Sequence, residues 1–193
     1  MKVAVIGTGF IGGTLGRALA RAGHEVTFGS RKPAENPVAG DTGARIASVA
    51  EALDGADVVI LAVPSSVVAA LASDQAGRLG GRLVIDATNR MGEAVSNSRA
   101  ALPSGVRYAR AFNIVGGESM ADPSFPDGMA DMFFTCSEAD RAIVEEVVRA
   151  TRMRPVYIGA DQEELMDALA KLWVALAMGQ RRGRRLAFRL LEG

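Results

Sequence analysis

Three glycines near the start of the chain have the spacing that lets a backbone come close to a phosphate group. Gly7 allows a sharp turn, Gly9 leaves room for a pyrophosphate, and Gly12 lets a helix pack closely on a strand. Because the chain has 22 glycines, the spacing alone carries little weight. Its setting is specific, because an apolar run precedes it and a helical stretch follows it. The free N–H groups at the start of such a helix favour anions. Rather than a tight turn without a ligand, we predict a pyrophosphate site that consists of Gly7, Thr8, Gly9, Phe10, Ile11 and Gly12.

The end of the second predicted strand, residues 26–29, indicates which dinucleotide this unit favours. NAD sites usually carry an acidic residue there, which bonds the ribose 2′-hydroxyl. This chain has Ser30, Arg31 and Lys32 instead, and no acid. A guanidinium can bind a 2′-phosphate through two parallel hydrogen bonds, whereas a carboxylate would repel it. We predict NADP(H) as the cofactor; the alternative is that Arg31 and Lys32 belong to an exposed turn.

Further polar and rigid residues follow later strands, at the edge where parallel sheets bind ligands. Ala62, Val63 and Pro64 end the fourth predicted strand, and we expect them to border the nicotinamide side of the cofactor. Asn89 and Asn113 follow the fifth and sixth predicted strands. We predict that their amide groups line the pocket for the nicotinamide and the hydride acceptor. The alternative is that both asparagines bond nearby backbone in loops.

Side chains that could act as strong acids, bases or soft metal ligands are few. The only histidine, His24, lies at the amino end of the second strand, away from the ligand edge. The only cysteine, Cys136, ends an apolar strand. We therefore expect neither a Ser-His-Asp triad nor a metal site. Direct hydride transfer remains open, because it needs mainly two planar rings held face to face in a dry cleft.

The order of elements predicts the architecture that positions these residues. Eight short apolar runs alternate with helical stretches, which is typical of a parallel sheet covered by helices on both faces. We predict an α/β fold, a Rossmann-type doubly wound, mainly parallel sheet of about eight strands. A long C-terminal helix is expected from about residue 161 toward Leu191, weakened at Gly179 and Gly183. Residues 1–193 are expected to form a single NADP-binding domain with no separate helical C-terminal domain.

The composition argues against several other classes of function. Apolar residues make up 49% of the 193 residues, and 22 basic residues balance 22 acidic ones. This balance predicts no nucleic-acid or membrane partner, and no apolar run reaches the roughly 18 residues of a membrane span. A single cysteine and the lack of a signal-peptide pattern favour a cytoplasmic location. The expected partner is a small-molecule acceptor.

The predicted C-terminal helix carries two further features. An apolar stripe at helical spacing is expected to pack on the sheet or to share in a homodimer contact. Its members are Leu165, Leu169, Leu172, Trp173, Leu176 and Ala177. An arginine cluster follows, made of Arg181, Arg182, Arg184, Arg185 and Arg189. The cluster is either a solvated helix end or an anion site for an acidic acceptor tail.

Together these segments resemble a known family, the NADPH-dependent reductases of the deazaflavin coenzyme F420. The segments that carry the resemblance are VAVIGTGFIGGTLGRALARAGHEVTFGSRK, ADVVILAVP, LVIDATN, YARAFNIVG, GESMADP, LAKLWVALA and RRLAFRLL. The first is shared with other NADP-binding proteins, including pyrroline-carboxylate reductases, whereas the later ones are more specific. The resemblance implies hydride transfer between the nicotinamide C4 and the deazaflavin C5, with coenzyme F420 as co-substrate.

The resemblance also implies roles for individual residues. Thr8, Phe10 and Ile11 would lie in the phosphate turn, Ser30 and Arg31 would hold the 2′-phosphate, residues 62–64 would border the nicotinamide, and Asn113 would lie in the acceptor pocket. The residues themselves leave other acceptors open: a flavin, a ferric chelate, an imine or a carbonyl. A non-catalytic NADP(H)-sensing protein is the alternative from a different class of function.

Overall fold

A computed structural model describes residues 1–35, 37–40, 42–89 and 98–193. Its strands are β1 Lys2–Ile6, β2 Glu25–Gly29, β3 Arg45–Ala47, β4 Val58–Leu61, β5 Leu83–Asp86, β6 Arg107–Arg110, β7 Ser124–Phe125, β8 Gly128–Met129, β9 Asp131–Cys136 and β10 Arg154–Tyr157. Its α-helices are α1 Phe10–Arg21, α2 Val49–Leu53, α3 Val68–Asp74, α4 Ala76–Leu79, α5 Gly117–Ala121, α6 Arg141–Ala150 and α7 Glu163–Val174. Among the described residues, no helix combines the length and the apolar character that crossing a bilayer requires.

The main sheet has eight strands in the order β10-β9-β6-β5-β4-β1-β2-β3, and β7 and β8 form a separate hairpin. Neighbouring strands of the main sheet are parallel except β6 and β9, which are antiparallel. The chain builds outward from β1 through β2 and β3, then returns to β4 on the other side of β1. This reversal creates a crevice at the carboxyl ends of β1 and β4, where such sheets bind ligands. The predicted doubly wound, mainly parallel sheet of about eight strands is therefore confirmed.

Alternating side chains of the central strands enter two separate hydrophobic cores. Val3 and Val5 belong to the core that α1, α6 and α7 cover, whereas Ala4 and Ile6 belong to the core that α2, α3 and α4 cover. Because strands buried on both faces have no polar side, they read in sequence as continuous apolar runs. Each fully buried valine or isoleucine stabilises the fold by about 1.5–3 kcal/mol.

The strand register brings several loops to one edge of the sheet. Ile6, the last residue of β1, lies opposite Gly29 of β2 and Leu61 of β4. Leu61 in turn lies opposite Asp86, the last residue of β5. The glycine turn after β1 and the loops after β2, β4 and β5 therefore begin side by side.

The C-terminal part of the chain follows the prediction only as far as residue 179. Helix α7 continues as a π-helical turn, Ala175–Gly179, so the long C-terminal helix is confirmed, but its extension toward Leu191 is wrong. Arg181 and Gly183 have positive φ angles of 55° and 85°, which end the helix. Residues 180–191, here called the C-terminal arm, instead fold back on the domain: the Trp173 indole donates to the Leu186 carbonyl at 2.8 Å.

Candidate functional site

A cavity of about 930 Å³ lies at the carboxyl ends of β1, β2 and β4. Three loops bring nine of the predicted site residues to its wall: Gly7, Thr8, Gly9, Ser30, Arg31, Lys32, Ala62, Val63 and Pro64. A further wall, which the sequence did not reveal, comes from α3 and the turns on either side of it: Val67, Ala70, Leu71, Asp74 and Gln75. These five positions recur at helical spacing, so in the sequence they resemble a helix face that packs on a core.

The three glycines of the turn have different structural roles. Gly7 has φ +114°, and an added Cβ there would lie 2.3 Å from the Ala62 carbonyl oxygen. A Cβ on Gly12 would lie 2.0 Å from the Gly7 carbonyl oxygen. A Cβ on Gly9, by contrast, would meet no atom within 4 Å, although Gly9 lines the cavity. Gly7 and Gly12 are therefore required by the fold, whereas Gly9 borders open space in the cavity.

The amino end of α1 is suited to an anion. Its N-cap residue, Gly9, supplies no side-chain hydrogen bond, and the first turn contains no acidic residue. The first N–H groups of a helix lack intrahelical partners, and the helix dipole places partial positive charge there. Phe10, Ile11 and Gly12 do not line the cavity themselves; Phe10 is 56% exposed and contacts Gly117 of α5. A pyrophosphate at this helix end would thus meet main-chain N–H groups rather than these side chains.

The loop after β2 adds positive charge to the wall of the cavity. Ser30 is buried, and its hydroxyl accepts a hydrogen bond from the Lys32 N–H at 3.1 Å. Arg31 and Lys32 are exposed, and both line the cavity. Asp74 is the acidic residue on this wall, but it comes from α3 and not from the end of β2. The position that a carboxylate takes in NAD sites therefore carries a hydroxyl and cations.

The two predicted pocket asparagines lie together, but neither is among the residues that line the cavity. The Asn89 amide donates to the Asn113 carbonyl at 2.7 Å, and the Asn113 amide donates to the Met166 carbonyl at 3.3 Å. Both side-chain oxygens are buried and accept no hydrogen bond from the described residues. These bonds span 24 and 53 residues, so the asparagines do not simply satisfy local backbone. Their role toward the nicotinamide or acceptor stays a prediction.

The loop that carries Asn113 begins with a residue in a strained backbone conformation, Phe112. Phe112, two residues after the end of β6, has φ 66° and is 1% exposed. The left-handed region is costly for a bulky side chain, so the surrounding structure must hold it there. Its N–H donates to the Met132 sulfur at 3.2 Å, and the buried ring fixes the turn. This turn leads directly into Asn113.

A buried charge network supports the same loops and was missed at the sequence level. The Arg110 guanidinium, with no exposed surface, donates twice to Asp167, lies 3.1 Å from Asp86 and donates to the Thr88 carbonyl at 2.9 Å. Tyr108 donates its hydroxyl to Asp86 at 2.7 Å, and burial followed by the Asp86 charge raises the pKa of Tyr108 above its ordinary value. The phenol therefore stays protonated. The signal in the sequence was the acid Asp86 at the end of an otherwise apolar strand.

The single histidine and cysteine lie away from the cavity. His24 precedes β2 at its amino end, with Nδ1 4.0 Å from the Glu146 carboxylate. Cys136 is buried, and desolvation together with the nearby Asp140 charge raises the pKa of its thiol to about 12. The thiol is therefore uncharged at neutral pH and is a poor nucleophile.

The part of the chain that forms this cavity is similar to a known protein family. Residues 2–90 match the family described as NADP oxidoreductase, coenzyme F420-dependent. The predicted NADP-dependent oxidoreductase is confirmed. The matched residues contain β1 to β5, including the glycine turn and every predicted cofactor contact from Gly7 to Asn89.

Solved structures share the fold of this oxidoreductase. A protein from Arthrobacter sp. FB24, proposed to be an F420-dependent NADP-reductase, is 24% identical, with all of both chains covered and a TM-score of 0.81. A protein of unassigned function from Sinorhizobium meliloti is 26% identical over 100% of this chain and 96% of its own, with a TM-score of 0.71. An imine reductase from Streptomyces aurantiacus is 21% identical over 93% of this chain and 64% of its own, with a TM-score of 0.74.

The arginine cluster is partly engaged in the C-terminal arm. Arg184 pairs with Glu118 of α5 at 2.7 Å, and Arg185 pairs with Asp122 at 2.8 Å. The hydrogen bond from Arg184 lowers the pKa of the Glu118 carboxyl below its ordinary value. The prediction of a solvated helix end is wrong for these two arginines, since they are not helical and they fasten the arm. An anion site that uses all of the cluster would have to break both pairs.

Proposed function

We propose that the protein binds NADP(H) in the cavity and transfers hydride between the nicotinamide and a planar acceptor, with the deazaflavin coenzyme F420 as first candidate. The observation that carries the cofactor assignment is the pairing of an uncapped helix start at Gly9 with Arg31 and Lys32 at the end of β2. The helix start suits a pyrophosphate, and the two cations suit a 2′-phosphate. A reductive aminase from Aspergillus terreus with a similar fold, 22% identical, was solved with NADPH, which supports the same assignment.

The chain's own residues account for the binding chemistry. Gly9 leaves the space into which a side chain would project, so the cavity fits a pyrophosphate that approaches the main chain. Val67, Ala70 and Leu71 supply an apolar wall suited to the adenine ring. Pro64, whose ring fixes φ near −55°, stiffens the loop that borders the nicotinamide side.

The reaction needs little acid–base help from the protein. When bound, NADPH would supply a hydride, which is two electrons with one proton, and reduction of a deazaflavin at C5 would also consume one proton from solvent. The protein must hold two planar rings at reacting distance and keep water out. The buried oxygens of Asn89 and Asn113 are hydrogen-bond acceptors near the carboxyl ends of β5 and β6, and we assign them to orienting the nicotinamide or the acceptor.

The acceptor is tested by mixing purified protein with NADPH and each candidate in a stopped-flow instrument. Coenzyme F420 should cause rapid loss of the reduced nicotinamide absorbance. Because an imine reductase shares the fold, cyclic imines are the second set, followed by flavin, a ferric chelate and carbonyl compounds. Turnover with one of these and not with coenzyme F420 would reassign the acceptor. Tight NADPH binding without turnover of any acceptor would instead indicate an NADP(H)-sensing protein.

The choice of NADP(H) over NAD(H) is tested at Arg31. We expect Arg31→Glu to weaken NADPH binding about 100-fold, because a charge-assisted bond to the 2′-phosphate is lost and a repulsive charge replaces it. NADH binding should change less than about threefold, since NADH lacks that phosphate. Isothermal titration with both dinucleotides gives the ratio. Arg21→Glu, at the far end of α1, is the matched charge change, and an equal loss for both dinucleotides in Arg31→Glu would overturn the assignment.

A further inference from the structure

One face of α7 is apolar and exposed. Its large side chains, Leu165 and Leu172, are 47% and 48% exposed, and Ala168 lies exposed between them on the same face. The opposite face of α7 is buried in the core and includes Met166 and Trp173. Seven residues separate the two leucines, which places them two helical turns apart on one stripe. Nothing in the described part of the chain covers this stripe.

Two charged side chains border the stripe along one edge. Glu164 and Lys171 are both exposed, and neither has an ion-pair partner among the described residues. They are also seven residues apart, about 10.5 Å along the helix, so they cannot reach each other within one chain. The helix therefore carries one negative and one positive group at the two ends of an apolar patch.

This pattern is complementary to itself when reversed. We propose that α7 packs antiparallel against α7 of a second copy of the chain, with a two-fold axis near Ala168. In that arrangement Leu165 of each copy meets Leu172 of the other, and Glu164 of each copy meets Lys171 of the other. Because a two-fold axis repeats every contact, the interface contains two leucine pairs and two ion pairs. A parallel two-fold arrangement would instead carry the charged edges of the two copies to opposite sides of the contact, so that Glu164 and Lys171 would not pair.

The small side chain of Ala168 and the position of α7 in the fold also support this dimer. Ala168 on the axis lets the two helix backbones approach closely, while leucines fill the space on either side. The inner face of the same helix holds the site loops, because Asp167 binds Arg110 and the Met166 carbonyl accepts from Asn113. The contact between copies would thus lie one helix thickness from those loops. The inference does not depend on the identity of the cofactor or acceptor.

The test is a charge swap read by sedimentation velocity at low salt. A single pair of short helices buries less surface than the roughly 1,200 Å² of a standard interface, so we expect a dissociation constant on the order of micromolar. Glu164→Lys and Lys171→Glu should each raise that constant about tenfold or more, because both ion pairs become repulsive. The double variant Glu164→Lys/Lys171→Glu should restore the wild-type value.

A second variant tests the apolar stripe. Leu172→Glu should abolish the dimer, because it places two carboxylates in the contact, and the exposed position means that circular dichroism and the Tm should not change. Leu191→Glu, the same change at a leucine that is 79% exposed in the C-terminal arm, should leave the dimer intact. A wild-type chain that stays monomeric up to several hundred micromolar would overturn the proposal. A dimer that survives Leu172→Glu, or single charge variants that dimerise as well as the wild type, would overturn it equally.

Discussion

An aspartate in place of Gly9 should abolish NADP(H) binding while making the protein slightly more stable. Gly9 is the N-cap of α1 with φ −73° and ψ −172°, an extended conformation open to any residue, and its added Cβ would meet nothing within 4 Å. An N-cap aspartate would satisfy a free N–H and complement the helix dipole, which stabilises a helix by about 0.5–1 kcal/mol relative to glycine. The same carboxylate would occupy and repel the pyrophosphate. We expect NADPH affinity to fall at least about 100-fold, measured by titration calorimetry, and the Tm to rise.

Two companion variants separate charge from bulk and binding from folding. Gly9→Asn has nearly the same shape and caps the helix without a charge, so it should lose less NADPH affinity than the aspartate. Gly7→Ala should lower the Tm instead, because its Cβ would meet the Ala62 carbonyl and φ +114° is unfavourable for alanine. If Gly9→Asp bound NADPH within about threefold of the wild type, the pyrophosphate would not lie at this helix start.

The contrast between these glycines shows what a sequence can predict at such a site. Turn spacing and the strand–helix setting identify the cradle, because each glycine answers a local steric demand. The same holds for the loop at Arg31, whose position follows from β2. The wall that includes Leu71 and Gln75 was not predictable in this way, since only the placement of α3 over the crevice turns that helix face toward a ligand.

Long-range contacts explain the remaining differences between sequence and structure. The C-terminal arm contains good helix formers, yet it bonds to Trp173 and, through Phe188, to β9, and helical periodicity carries no information about those partners. The antiparallel direction of β9 is likewise a property of the connection, which consists of α5 and a hairpin. Asp86 is conspicuous at the end of an apolar strand, but the partner that completes the network, Asp167, is 57 residues from Arg110 in sequence.

Removing the guanidinium from that network should cost more stability than any surface substitution. We expect Arg110→Met to lower the free energy of unfolding by about 3–5 kcal/mol, because Asp86 and Asp167 would stay buried without a compensating charge. Arg78→Met is the control, since it breaks an exposed pair with Asp54 and should cost at most about 1 kcal/mol. Urea unfolding at neutral pH, followed by circular dichroism, measures both.

Two further measurements would distinguish this electrostatic cause from lost packing. Adding Asp167→Leu to Arg110→Met removes one of the uncompensated carboxylates and should recover part of the lost stability, whereas a packing defect would grow. Because Arg110 also holds the Thr88 carbonyl beside Asn89, the electrostatic account further requires Arg110→Met to weaken cofactor or acceptor binding under conditions where the protein is still folded.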